Sequence, residues 1–203
     1  MKIYKWLIKI PVIGMALAIT NNYVAGGDFS ADDRFAPLGC WLVALWVNVG
    51  VSVLMTVAVL LPYCGMIEAA TCVIPKEAFA ASPGSAAISI LPNVLGFGIG
   101  VYALIFALSE RFVKMFHDKA REANARGEKI SVLTLNADMA FPLLVIVIAI
   151  TCGLAQQVFK DTFWLLSVSW FLIWFSLIET AGLIGVIFRL GEQALLDKLD
   201  DPQ

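Results

Sequence analysis

Histidine is almost missing from this chain: His117 is the only one in 203 residues. The four cysteines, Cys40, Cys64, Cys72 and Cys152, are scattered, with no Cys-x-x-Cys pair. The usual ligand sets for zinc, haem and iron–sulfur centres are therefore lacking, and so is the thiol-oxidase motif. His117 itself lies among charged residues and reads as ordinary helix surface. There is no phosphate-cradling P-loop, no Gly-x-Ser-x-Gly elbow and no His-Glu-x-x-His helix. Charged residues make up only 15% of the chain, and the net charge of −2 argues against direct nucleic-acid binding. These gaps predict a non-enzymatic protein with no cofactor, no metal and no catalytic residue.

What is present is apolar. Hydrophobic residues account for 60% of the sequence, and the mean hydropathy is +0.85. A soluble domain of this size has no interior for so much apolar surface. The excess falls in long runs without period-two alternation, which excludes a β-barrel and predicts an all-α polytopic membrane protein. Four spans are expected, at 39–63, 88–108, 141–158 and 163–190, in a single helical-bundle domain covering 1–203. A cytoplasmic basic helix and loop occupy 109–138, and no internal repeat is detectable.

The first 25 residues carry Lys2, Lys5 and Lys9 at i, i+3 and i+7, one basic stripe on an otherwise apolar helix. That pattern suits a helix lying in the interface with its lysines toward anionic headgroups. A fifth span and a signal peptide are the competing readings; Lys9 interrupts the apolar region that a signal peptide needs. Charge counting favours the interfacial helix. With four spans, 12 of the 14 Lys and Arg residues are cytoplasmic, whereas five spans give a split of 9 to 5. The positive-inside rule thus predicts four spans with both termini in the cytoplasm. On that topology, in a bacterial host, Cys64 and Cys72 lie on the oxidising side. Eight residues apart, they can close a small disulfide loop, or they can simply pack as small apolar side chains.

The last long helix carries the most informative residue. Glu179 is an acid inside an apolar run, and an ionisable group near mid-bilayer costs on the order of 2.5–3.5 kcal/mol by insertion scales. At 100° per residue, Ser169, Ser176, Glu179 and Gly182 share one sector, opposite Trp170, Trp174, Leu177, Ile184 and Phe188. The expected arrangement turns the polar stripe toward neighbouring helices and the tryptophans toward lipid. Asn48 and Asn93 complete the intramembrane polar set, and Gly96 and Gly100, with Gly182, offer close helix approach. In 131–138, Asn136 or Asp138 is expected to cap the next helix, with Pro142 in its first turn. Two functions fit. One is an oligomeric sensor or scaffold that addresses a cytoplasmic partner through Lys114, Lys119, Arg121 and Arg126. The other is a homo-oligomeric channel or transporter subunit with Glu179 lining the path.

The four-span layout, the basic cytosolic helix and the re-entry segment Leu135-Asn136-Ala137-Asp138-Met139-Ala140-Phe141-Pro142 together resemble the membrane subunit of the Kiwa antiphage defence system. That resemblance implies a homo-oligomer, a tetramer, in the bacterial inner membrane. It would sense phage attachment and work with a soluble, DNA-binding effector subunit in the cytoplasm. It carries over no catalytic residue.

Overall fold

The computed structural model describes residues 2–26, 34–61, 82–106, 132–160 and 162–200, and among these every regular element is a helix. They are α1 (Lys2–Leu7), α2 (Ile13–Val24), α3 (Leu38–Leu60), α4 (Pro83–Phe106), α5 (Val132–Val158) and α6 (Phe163–Asp200). Four stretches are long and apolar enough to cross a bilayer: Leu38–Leu60, Pro83–Ala103, Leu135–Val158 and Phe163–Glu192. The chain is a polytopic helical membrane protein. Among the described residues no fifth helix qualifies as a span.

The N-terminal segment differs from the single helix expected. Pro11 supplies no amide hydrogen, and Val12 adopts φ 67°, so the helix breaks into α1 and α2. The two pieces fold onto each other because Gly14 has no side chain. A Cβ there would run into the carbonyl of Ile8. The break removes the continuous lysine stripe and leaves Lys9 exposed beside the turn.

The other boundaries shift for related reasons. Helix α4 starts at Pro83 rather than near 88, with proline in the first turn, where no amide hydrogen is needed. Pro92 then lies inside it. Helix α5 starts at Val132, so residues 132–138 are helix rather than linker, and Pro142 is interior. Neither Asn136 nor Asp138 caps it. Ala137, Met139 and Phe141 are all buried, and this packing carries the helix through a proline that local propensity reads as a start. Helix α6 continues past Leu190 to Asp200, taking the acidic tail with it.

The chain packs as two compact units. One gathers α1, α2, the segment through Cys40, α5 up to Pro142, and α6 from Ile178. The other holds α3 from Trp41, α4, α5 from Leu143, and α6 up to Leu177. In the second unit Ala87, Leu91, Ile146, Ala149 and Ile173 form the core, with Trp170 packed against it. In lipid there is little hydrophobic drive to bring helices together, so close contact and hydrogen bonds carry the association. Gly84 and Gly153 supply the contact: a Cβ on Gly153 would come within 2.7 Å of the Ala87 Cβ. Gln156 supplies the bonds. Its Oε1 accepts from Ser82 Oγ at 2.7 Å and from the Gly84 amide at 3.1 Å, satisfying the start of α4 from a neighbouring helix.

In α3 the buried residues are Ser52 and Thr56, while Leu42, Val43, Trp46 and Leu54 are exposed. Both hydroxyls bond within the helix, Ser52 Oγ to the Asn48 carbonyl at 2.6 Å and Thr56 Oγ1 to the Ser52 carbonyl at 2.7 Å.

Candidate functional site: a buried acid beneath the N-terminal helices

The polar stripe of α6 is buried at Ser169, Ser176 and Glu179. Leu177, Ile184 and Phe188, on the far side of the wheel, are exposed. Trp170 and Trp174 are half-buried rather than lipid-facing. Each indole N–H is buried and meets no acceptor among the described residues. Trp170 packs against the core residue Ile173 and its neighbours, which takes it out of the lipid-facing set.

Glu179 is 3% exposed. It lies 16 residues beyond Phe163 and 13 before Glu192, near the middle of the apolar stretch Phe163–Glu192. What it meets there comes from α2. The Tyr23 hydroxyl donates to Glu179 Oε2 at 3.3 Å. The same ring stacks on Phe141 of α5, with centroids 4.1 Å apart and planes 15° from parallel. Asp138 precedes Phe141 by three residues, close to one turn, so it shares that face of α5. Its charge acts on both Glu179 and Tyr23. Burial first, and then the Glu179 carboxylate, raise the Tyr23 phenol well above its ordinary pKa, with a smaller push from Asp138. The phenol therefore remains a neutral donor.

Asn21, two residues before Tyr23, is completely buried. Its amide nitrogen donates to Tyr4 Oη at 3.1 Å and to the Arg34 carbonyl at 2.9 Å, while its Oδ1 accepts from the Ala36 amide at 2.8 Å. Tyr4 also meets Phe35 edge-on at 4.7 Å. One asparagine thereby joins α1, α2 and the residues that lead into α3. Because each side chain is polar, buried and satisfied, the arrangement fixes geometry at little net cost.

Sequence reasoning missed Tyr23, Asn21 and Asp138. With Asp138 expected to cap the next helix, Glu179 has no acidic neighbour in that reading. A signal existed for Asn21: it lies seven residues after Gly14 and three before Val24, on one face of α2, and all three are buried.

The remaining expected residues are dispersed. Ser176 Oγ bonds back to the Ile173 carbonyl at 2.8 Å. Asn48 is half-buried in α3, and Asn93 is exposed on α4. At Gly96, Gly100 and Gly182 an added Cβ would meet nothing within 4 Å, so the close approach inside this chain is made at Gly84 and Gly153 instead. Cys152 Sγ lies 3.4 Å from Ser169 Oγ. Cys64, Cys72, Lys114, Lys119, Arg121 and Arg126 lie outside the described residues.

The Tyr23 phenol donates to the Glu179 carboxylate while its ring stacks on Phe141, so this cluster ties α2 to both α5 and α6. No family model, no curated protein and no solved structure matches this chain.

Proposed function

We propose that the chain is a non-enzymatic sensor or scaffold of the bacterial inner membrane. In this reading it assembles as a homo-oligomer, keeps both termini in the cytoplasm and signals to a soluble cytoplasmic partner. The observation that carries it is the Tyr23–Glu179 bond, which couples the N-terminal helices to α6. From Glu179, α6 runs 21 further residues to Asp200, a rigid arm of about 31 Å. In this reading a shift of the N-terminal helices is converted into a displacement of the arm. The exposed Gly96, Gly100 and Gly182 support the oligomer, because each leaves room for a neighbouring backbone. The resemblance to the Kiwa membrane subunit supports a tetramer and phage attachment as the stimulus.

Burial of Glu179 within its own chain speaks against an acid that lines a shared pore. The two readings separate in one pair of measurements on the full chain. For a sensor, Glu179→Leu alters oligomer mass in detergent or recovery of a cytoplasmic partner, while reconstituted bilayers stay electrically silent. A conductance in wild-type bilayers that vanishes in Glu179→Gln would establish the channel instead. Unchanged assembly and partner recovery in Glu179→Leu would remove Glu179 from the mechanism.

A further inference from the structure

The two N-terminal helices have an inner and an outer side. Tyr4, Gly14, Asn21 and Val24 face inward and are buried. On the outer side stand Trp6, 64% exposed, and Val12, 73% exposed, with Ile13 and Met15 also exposed and Lys9 beside them. Four large apolar side chains on the two sides of the Pro11–Val12 turn are thus exposed. Residues 1–27 contain Lys2, Lys5 and Lys9 and no acid at all.

One set of contacts ties these helices to a span. Asn21 bonds Arg34 and Ala36, immediately before α3, an apolar stretch long enough to cross a bilayer, begins at Leu38. An exposed tryptophan, branched aliphatic residues and a methionine on helices joined to the start of a span, with Lys9 beside them and no acid in residues 1–27, match an interface of acyl chains under anionic headgroups.

We propose that the Pro11–Val12 turn is an apolar wedge that inserts into one bilayer face and gathers anionic lipid around Lys9. This site rests on the membrane-spanning fold alone and stands whether or not a cytoplasmic partner exists. The test uses the full chain in vesicles of equimolar phosphatidylcholine and phosphatidylglycerol, with bromine on the acyl chains of one lipid or the other. The Trp6 signal is the difference between wild type and Trp6→Phe. Trp6 should be quenched, and several-fold more strongly by the brominated anionic lipid, since one lysine near the surface contributes on the order of a fivefold preference. Lys9→Gln should reduce the preference, and Lys2→Glu with Lys5→Glu and Lys9→Glu should abolish it while Trp6 stays quenched. Absence of Trp6 quenching would mean that protein or water covers the wedge, and equal quenching by both lipids would refute anionic recognition. Either result overturns the proposal.

Discussion

Tyr23 and Glu179 are 156 residues apart in the chain, yet the phenol of one donates to the carboxylate of the other at 3.3 Å. The bond matters because of where its ends are anchored. Tyr23 belongs to a helix of 12 residues, and Glu179 to one of 38 that contains a stretch long and apolar enough to span. Phe141 holds the ring flat while the hydroxyl points at the acid, so the contact has a defined geometry.

Removing that hydroxyl should therefore be felt. Tyr23→Phe keeps the stack on Phe141 and loses only the bond, and should cost about 0.6–2 kcal/mol of stability in detergent. Combined with Glu179→Gln, it should cost less than the sum of the two. Thermal unfolding of the four proteins measures this, and strict additivity would deny the coupling.

The same bond predicts alkaline sensitivity. The folded-state pKa of Tyr23 is raised, so above about pH 10, where an unfolded phenol ionises, the unfolded state sheds a proton that the folded state keeps. Stability due to Tyr23 is complete below that pH and is lost as pH climbs toward the raised value. Melting followed from neutral to strongly alkaline pH should show a steeper decline in wild type than in Tyr23→Phe.

Long-range features divide sharply in how readable they were from the residues. The four spans were legible because hydrocarbon thickness sets their length and composition together. The inward face of Glu179 followed from helical periodicity. Its partner did not, because a tyrosine in a 25-residue apolar segment has many possible neighbours and no spacing that names one. Pro142 misleads for a different reason. Local propensity marks proline as a helix start, whereas burial of Phe141 keeps α5 intact through it.

Gly153→Ala should be among the most damaging small substitutions. The new methyl would meet the Ala87 Cβ at 2.7 Å and press α5 away from α4, loosening the bonds of Gln156 to Ser82 and Gly84. A loss of about 1–3 kcal/mol is expected, against little change in monomer stability for Gly96→Ala. Parallel melting curves of the two variants decide the point, and equal midpoints would contradict it.

Val12→Gly should have the opposite sign. A β-branched residue at φ 67° is strained, and this side chain is mostly exposed, so little packing is forfeited. A gain of up to about 1 kcal/mol is expected in detergent, where no bilayer receives the wedge. In vesicles the gain should shrink, because glycine removes an inserted side chain. An unchanged gain in both media would place Val12 outside the lipid.

Helix α3 hides its hydroxyls in its own backbone, Ser52 and Thr56 each answering the carbonyl one turn earlier. Those two side chains ask nothing of a neighbour, so they do not hold the segment back from entering the membrane during synthesis, before α4, α5 and α6 exist. Early insertion would suit α3, since the later spans then arrive at a bilayer where the first crossing is already made and the orientation of the chain is already chosen.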